Sequence, residues 1–435
     1  MEIDFGTIPT LISLAVALFT VYVMLYYKFI YSIVDPLCVF VFTTAFASVL
    51  AIEVIPNTSD LLHFFGCQLA LWLGFVAAYQ PLLGKQELIQ SEQFYNFRDQ
   101  TLLRWAAYLL LGLYILSNLI IGYVKGFALF SDEPTVSKIA NFQQGFGLFR
   151  KINWSTGTFA FTALLYLYLV KKKKIDLVLL GVVVLFTSLE GSKSALLQIA
   201  ISSGIVVYHP AFSQQRLLLK KFQQFIPVLA TGIIGIFLLV LLKENDGYDE
   251  TFFALIRRLL YSADSVLYYY QPVNVAYFES YSFGDYIARL TNPILGFFRL
   301  QPYIEAPGLV MIDNLRPPGS TINSIVGPNA PFYIEGKIYF NFWVAFPYSF
   351  LLGYLYAALR VYYFSIKQSS AFYFVYMGSL LRLAGALIID VNLAVAQLFD
   401  LAFFVLLPYI GISFLLTGKL KIRLRSKLIR SLIHS

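Results

Sequence analysis

The chain has 435 residues, of which 59% are hydrophobic and only 13% are charged. Soluble globular domains carry about 25% charged residues, so this composition excludes a single water-soluble core. The apolar runs are continuous rather than alternating, and they are long enough to cross a hydrocarbon layer of about 30 Å, which favours membrane-spanning helices over a membrane β-barrel. The formal net charge of +8 does not indicate nucleic-acid binding, because the basic residues fall mostly in short loops and tails.

The apolar runs predict an all-α polytopic membrane protein with about eleven membrane-spanning helices. They lie near residues 8–27, 34–54, 61–83, 105–124, 152–170, 175–189, 194–208, 225–242, 338–359, 371–389 and 395–416. Two of them, near 175–189 and 194–208, are short. They predict a broken helix pair that meets at the segment from Glu190 to Lys193.

These spans divide the chain into four parts. The parts are a bundle of about eight spans over 1–242 with a small outer loop at 125–151, a large helical extracytoplasmic loop at 243–336, three spans over 337–417, and a basic tail at 418–435. Lysine and arginine favour cytoplasmic loops, so the run from Lys171 to Lys174 predicts a cytoplasmic loop, as do Arg360 and Lys367. The amino terminus is then outside the membrane and the carboxyl terminus inside.

The large loop begins with a segment, Phe252 to Tyr270, that has the pattern of an amphipathic helix. Helical spacing places one cation, one carboxylate and two phenols on the same face. These residues are Arg257, Tyr261, Asp264 and Tyr268. Such a face suits a charged, hydroxyl-rich ligand such as a lipid-linked sugar phosphate, and an interfacial helix that contacts lipid headgroups is the alternative.

Five arginines fall in the predicted outer loop, where the preference for cytoplasmic cations gives no reason for them. They are Arg257, Arg258, Arg289, Arg299 and Arg316. Guanidinium groups match phosphate oxygens with two parallel hydrogen bonds. The cluster therefore predicts a pyrophosphate site, and ion pairs with Asp285, Asp313 or Glu305 are the structural alternative.

Further charged residues lie in or beside apolar spans, where charges are costly and often functional. Glu335 follows a turn-rich segment at the outer mouth of a span, where partial burial could raise its pKa; it is interpreted as a general base or as a helix cap. Arg382 and Asp400 lie in different spans and are expected to pair with each other. Lys193 lies at the turn of the broken pair, and Asp390 faces outward between two spans.

The sequence predicts neither a cofactor nor a metal site. The three histidines lie far apart without ligand spacing, and Cys38 and Cys67 both fall inside predicted spans. A nucleotide-binding phosphate loop, a dinucleotide fingerprint, paired zinc ligands and a Gly-x-Ser-x-Gly elbow are all absent from the sequence. An activated substrate is therefore expected to reach the protein through the membrane.

Four segments in this order resemble the Wzy-type oligosaccharide repeat-unit polymerases, which build O-antigen, enterobacterial common antigen and capsule. The segments are Gly126 to Phe130 with Arg150 behind it, Glu190 to Leu197, Leu255 to Asp264, and Pro328 to Phe342 with its Glu335-Gly336 and Asn341-Phe342 pairs. Lys193 stands where these polymerases usually carry arginine. This substitution keeps the charge and loses the two-pronged hydrogen bonding.

The resemblance implies a GT-C-like, metal-independent membrane glycosyltransferase in the bacterial inner (cytoplasmic) membrane, with a periplasmic site and a chain-length regulator as an expected partner. A glycan on undecaprenyl pyrophosphate would be the donor, and a fresh lipid-linked repeat unit would be the acceptor. Glu335 or Asp264 would be the catalytic base. The residues expected to bind the substrate and its pyrophosphate are Lys193, Arg257, Arg258, Arg289, Arg316 and Tyr261.

Three other functions stay open at this point. An O-antigen ligase uses the same donor, but such ligases rely on a histidine in the large outer loop, and residues 243–336 contain none. A secondary transporter or a flippase for lipid-linked oligosaccharides would also have broken helices. A non-enzymatic scaffold would leave the outer arginines unexplained.

Overall fold

The computed structural model describes residues 8–83, 95–191, 195–213, 264–317 and 327–417, and this part of the chain is mostly helical. Five of its helical segments are long and apolar enough to cross a membrane. They are Pro36–Val54, Thr58–Tyr79, Gln100–Phe130, Ala371–Ile388 and Val391–Leu415. Two shorter apolar helices, Thr10–Tyr26 and Leu196–Val207, accompany them. A helical membrane protein is confirmed, and the count of eleven spans stays a prediction.

The α-helices are numbered in chain order through the described ranges. The first eight are α1 (Ile8–Tyr26), α2 (Pro36–Val54), α3 (Thr58–Leu83), α4 (Gln100–Lys125), α5 (Pro134–Ala140), α6 (Gly147–Lys171), α7 (Lys174–Leu189) and α8 (Ala195–Val207). The next four lie in the predicted outer loop: α9 (Asp264–Tyr269), α10 (Pro272–Phe278), α11 (Phe283–Leu295) and α12 (Pro307–Asp313). The last five are α13 (Phe332–Tyr339), α14 (Ala345–Phe364), α15 (Ala371–Ala384), α16 (Val391–Leu401) and α17 (Leu407–Thr417).

Several helix starts follow from capping residues in the sequence. The Asp35 side chain accepts a hydrogen bond from the Leu37 amide at 2.8 Å, and Pro36 occupies the first position of α2. Asp390 caps α16 in the same way, accepting from the Leu393 amide at 2.9 Å. Such side chains satisfy backbone donors that the first helical turn leaves without partners. A π-helical turn over Ala402–Leu406 joins α16 to α17.

The most extensive helix pairing in the described part of the chain joins α3 to α14. A side chain at Gly353 would bring its Cβ within 2.1 Å of the Leu71 carbonyl oxygen, so only glycine allows this approach. Small residues are the usual means by which helices approach each other in membranes, where lipid removes the hydrophobic drive for association. On the other side of the bundle α6 is central, because it packs against α4, α7, α8, α15 and α16.

Within the described ranges, four ion pairs join elements that lie far apart in the sequence. They are Arg104–Asp176 at 3.3 Å, Lys151–Asp400 at 2.8 Å, Lys337–Asp60 at 2.5 Å and Arg360–Asp35 at 2.6 Å. Each pair joins two residues that the predicted topology places on the same side of the membrane. The short strands β1 (Asn96–Arg98) and β2 (Gln368–Ser370), which pair in parallel, also join two predicted inner segments. The side that faces the cytoplasm stays a prediction.

Arg360 differs from its prediction as a loop cation. It is only 1% exposed and belongs to α14, where its guanidinium donates to both oxygens of Asp35, at 2.6 and 2.7 Å. It also donates to the Phe29 carbonyl oxygen at 2.8 Å and to the Tyr79 hydroxyl at 3.1 Å. A charge buried this deeply is retained because the guanidinium is paired with a carboxylate and hydrogen-bonded at all three of its nitrogens.

The described part of the predicted outer loop is folded. Its helix α9 packs against α2, α12 and α13, and α11 packs against α13 and α16. Phe297, just after α11, contacts the rings of Phe399 and Phe403 on the apolar segment that contains α16. The loop helices therefore lie against the ends of the membrane helices.

Candidate functional site

A polar cavity of about 190 Å³ lies within the helical bundle. Helices α4, α6, α7, α8, α15 and α16 or their ends contribute to its wall. The lining residues are Tyr114, Asn153, Trp154, Gly157, Thr158, Thr187, Glu190, Gln198, Arg382 and Gln397. Among these described residues one is cationic and one anionic, and most of the others carry amides or hydroxyls. Such a set of polar groups is costly inside an apolar bundle and marks a functional candidate.

The lining residues come mainly from the helix halves that the predicted topology places toward the outer face. Asn153 and Thr158 lie in the amino-terminal half of α6, while Glu190 follows the last residue of α7. The 16 residues of α7 rise about 24 Å at about 1.5 Å per residue, which is most of a hydrocarbon layer of about 30 Å. Under the predicted topology the cavity therefore lies in the outer half of the membrane.

Arg382 is the cation of this cavity. It donates hydrogen bonds to the Thr158 hydroxyl at 3.1 Å and to the Gln198 side-chain oxygen at 2.9 Å. Its buried Nε atom has no hydrogen-bond partner within the described chain. A guanidinium that is held at its two terminal nitrogens and keeps its Nε–H without a partner in the described chain is fixed in place and still able to bind a ligand.

The predicted pairing of Arg382 with Asp400 is wrong. Asp400 accepts a hydrogen bond from Lys151 at the start of α6, at 2.8 Å, and the Lys151 ammonium also lies over the rings of Phe297 and Phe399. The sequence predicted the depth of both charges in the membrane. It could not predict how far each helix is rotated about its axis, and this rotation directs Asp400 toward α6.

Glu190 is the anion of the cavity and belongs to the turn after α7. Its carboxylate accepts a hydrogen bond from the Tyr114 hydroxyl at 3.4 Å, and the same hydroxyl contacts that of Thr187 at 2.9 Å. The next residue, Gly191, has a φ of +69° and packs against the backbone of Ala128, which leaves no room for a side chain. Two of the four segments behind the family resemblance, 126–130 and 190–197, therefore touch beside the cavity.

Among the lining residues, Asn153 has the most side-chain atoms without a hydrogen-bond partner in the described chain. Its side chain is part of a residue only 2% exposed, and neither its amide nitrogen nor its oxygen has a partner in the described ranges. Leaving a buried polar group without a partner costs about 1–3 kcal/mol, and such groups in native proteins call for an explanation. Sequence reasoning missed this residue. The signal was present as a polar run at the start of α6, from Asn153 to Thr158.

Glu335, the first candidate for the catalytic base, lies outside the cavity lining in α13 and is 4% exposed. It accepts hydrogen bonds from the Tyr348 hydroxyl and from the Val391 amide. Burial, together with the nearby carboxylate of Asp390, raises the pKa of Glu335 from its ordinary value of 4.5 to about 8. Because Val391 is the first residue of α16, Glu335 caps this neighbouring helix rather than its own.

Asp264, the second candidate base, is the first residue of α9 and is half-buried. Burial raises the pKa of the Tyr333 hydroxyl, and the charge of Asp264 adds to this effect. Tyr333 belongs to α13, which also carries Glu335, and α9 packs against α13. The fold thus brings the helices of both candidate carboxylates together.

Arg289 and Arg316 are the two predicted phosphate-binding arginines that the structure describes. Arg289 is 7% exposed and donates to the Glu305 carbonyl oxygen and, at 3.2 Å, to the Tyr281 hydroxyl, so its guanidinium is engaged by the loop itself. Arg316 pairs with Asp313 at 3.5 Å and keeps its Nη1 atom without a partner among the described residues. Arg316 is therefore the better placed of the two for a ligand.

Four predicted site residues lie outside the described residues: Lys193, Arg257, Arg258 and Tyr261. The predicted cluster of five cations around a pyrophosphate is consequently not tested by the geometry. In the sequence, Lys193 falls between Glu190 and Gln198, and both of these residues line the cavity.

Comparison with known proteins finds no matching family model, no matching curated protein and no matching solved structure. The resemblance to Wzy-type polymerases therefore stays a prediction based on short segments. What the chain does has to be inferred from its own residues and their arrangement.

Proposed function

We propose that the chain is a membrane glycosyltransferase that polymerises lipid-linked oligosaccharide repeat units at the outer face of a bacterial inner membrane. The supporting observation is the polar cavity around Arg382 and Glu190, formed mainly by the helix halves on the predicted outer side. A substrate whose lipid tail stays in the bilayer needs polar groups at that depth.

The proposed reaction transfers the growing glycan from undecaprenyl pyrophosphate to a new lipid-linked repeat. The non-reducing-end hydroxyl oxygen of the acceptor attacks the anomeric carbon of the donor, and the bond from that carbon to the pyrophosphate breaks. The hydroxyl proton passes to a carboxylate, and the lipid pyrophosphate leaves with the bonding electrons. Cations stabilise the charge that develops on this leaving group.

The residues proposed for these roles are refined by the geometry. A pKa of about 8 for Glu335 lies near neutral pH, which is the range in which an acid–base group works best, and Asp264 is the second candidate for this role. Arg316 has a donor available for phosphate. The other residues proposed to bind the pyrophosphate are Lys193, Arg257 and Arg258, and Tyr261 is proposed to bind the substrate beside them. Arg289 instead positions the loop through Glu305 and Tyr281.

A secondary transporter or lipid-linked oligosaccharide flippase is the second candidate function. The observation that favours it is that the cavity adjoins the break between α7 and α8, because transporters place substrates beside interrupted helices. An O-antigen ligase shares the donor of the proposed polymerase, and the lack of histidine in residues 243–336 argues against it.

Reconstitution in liposomes distinguishes these functions. Purified protein is mixed with lipid-linked repeat units extracted from the source strain, without an ion gradient, and the products are separated by size. The polymerase predicts a ladder of lengths that Arg382→Ala abolishes and that Arg98→Ala, an exposed arginine on β1, leaves intact. Substrate movement that requires a gradient, with no lengthening, would favour the transporter.

A further inference from the structure

The cavity holds hydrogen-bonding capacity that the described protein does not use. The Asn153 side chain offers donors on its nitrogen and an acceptor on its oxygen, and Arg382 offers the Nε donor. Both residues line the same space. Groups that are buried and unpaired on two different helices, α6 and α15, point to a ligand that donates and accepts hydrogen bonds at once.

The charge of the lining argues against a phosphate in this space. Arg382 and Glu190 are the residues of the described lining that carry opposite charges, and burial raises the pKa of Glu190 from its ordinary value of 4.5 to about 7, so this lining carries at most one net positive charge. A pyrophosphate carries more negative charge than this lining compensates, and an uncompensated buried charge is strongly unfavourable. An uncharged group rich in hydroxyls has no such penalty.

The size and composition of the cavity fit one sugar ring. An apolar cavity of about 150 Å³ holds a benzene molecule, so about 190 Å³ has room for a single six-membered ring with substituents. Gln198 and Gln397 add amides that both donate and accept, as sugar hydroxyls do. Trp154 adds a flat apolar ring, which suits the carbon–hydrogen face of a sugar.

We propose that the cavity is a monosaccharide-binding site that takes one uncharged sugar of the lipid-linked substrate, with Asn153 as its principal hydrogen-bonding residue. This inference takes its ligand class from the proposed function. It assigns the cavity to a sugar and leaves the pyrophosphate to Lys193 and the arginines of the predicted outer loop.

Direct binding tests the proposal. Full-length protein is purified in lauryldimethylamine oxide, a detergent without a sugar headgroup, and its tryptophan fluorescence is titrated with the methyl glycosides of glucose, galactose and N-acetylglucosamine, and separately with inorganic pyrophosphate. At least one glycoside is expected to give a saturable change that Trp154→Phe removes. Pyrophosphate is expected to give none.

Two asparagine variants form the matched comparison, with calorimetry as a second readout of binding. Asn153→Ala is expected to weaken glycoside binding at least fivefold. Asn118→Ala removes a buried asparagine of the neighbouring α4, whose amide already donates to the Tyr114 carbonyl oxygen at 2.9 Å, and is expected to change binding less than twofold. Equal melting temperatures within a few degrees verify that both variants are folded.

Pyrophosphate binding that Asn153→Ala abolishes would overturn the proposal, and so would the absence of binding by all three glycosides. The liposome assay on the same preparations separates this outcome from failure of the proposed function. Lengthening without glycoside binding removes the sugar site and keeps the polymerase. Glycoside binding without lengthening keeps the sugar site and removes the polymerase.

Discussion

Replacing Glu335 with glutamine keeps the shape of the side chain and removes its titratable proton. In the folded protein burial and the nearby Asp390 raise the pKa of Glu335 from 4.5 to about 8. Between these two pH values the native carboxyl holds a proton that the unfolded chain releases. The stability of the wild type should therefore fall as pH rises from about 4.5 to about 8, and the glutamine variant should lack this contribution.

The size of the effect follows from the pKa difference. A shift of about 3.5 pH units corresponds to about 5 kcal/mol at about 1.4 kcal/mol per unit. About 3.5 kcal/mol of this falls between pH 5 and pH 8, because the unfolded carboxyl is already mostly ionised at pH 5 and the folded one is only half ionised at pH 8. For a chain of this length about 1 kcal/mol shifts the melting temperature by about 1 °C, so the wild type should lose about 4 °C relative to Glu335→Gln over this range. Burial also raises the pKa of Asp390, and subtracting the two curves removes the part of that contribution that does not depend on Glu335.

Thermal unfolding of the purified protein in detergent at pH 5, 6, 7 and 8 measures this difference. Glu279→Gln, at an exposed glutamate between α10 and α11, is the control and should run parallel to the wild type. Parallel curves for the wild type and Glu335→Gln would refute the reasoning, because they would mean that Glu335 titrates alike in the folded and unfolded chains.

Three further predictions use the same purified protein. Arg360→Met should lower the free energy of unfolding by about 3–5 kcal/mol, because Asp35 is left buried without its cationic partner. Adding Asp35→Asn to this variant should restore part of the lost melting temperature. A melting temperature of Arg360→Met equal to that of the wild type would contradict the role of this pair. Asn153→Leu should raise stability by about 1–3 kcal/mol, since an unpaired polar group is removed, while abolishing glycoside binding; a lower melting temperature would indicate unrecognised partners. In liposomes, Arg316→Ala and Arg257→Ala should each leave only single repeats on their lipid carrier, and normal chain length in both would contradict the pyrophosphate cluster.

The helical membrane fold could be predicted from composition and apolar runs because both are summed over many residues. Two ion pairs join residues for which the sequence predicts the same depth in the membrane, because the position of a charge along its span sets that depth. They are Lys337–Asp60 and Arg104–Asp176. Which charge meets which depends on helix rotation and on neighbouring helices, and the sequence of one span carries no signal for either. The prediction for Arg382 failed for this reason.

The candidate site was predictable only in part. Charged residues in apolar spans, such as Arg382, are recognisable in the sequence because a charge is costly in lipid. A single amide such as Asn153 resembles an ordinary core residue in the sequence, and only the structure shows that it lacks hydrogen-bond partners in the described chain. The role of Glu335 at the start of α16 depends on a contact with Val391, 56 positions later in the chain. The strands β1 and β2 are too short for any periodic pattern.

Labelling of single cysteines tests most directly whether the site lies outside the cytoplasm. Two separate single-cysteine variants are made in a background without Cys38 and Cys67. One carries its cysteine at Ser280, an exposed position in the predicted outer loop, and the other at the exposed Lys173 in the predicted inner loop. In spheroplasts, a membrane-impermeant maleimide should label position 280 at once and position 173 only after permeabilisation. The reverse pattern would contradict an extracytoplasmic site and the polymerase with it.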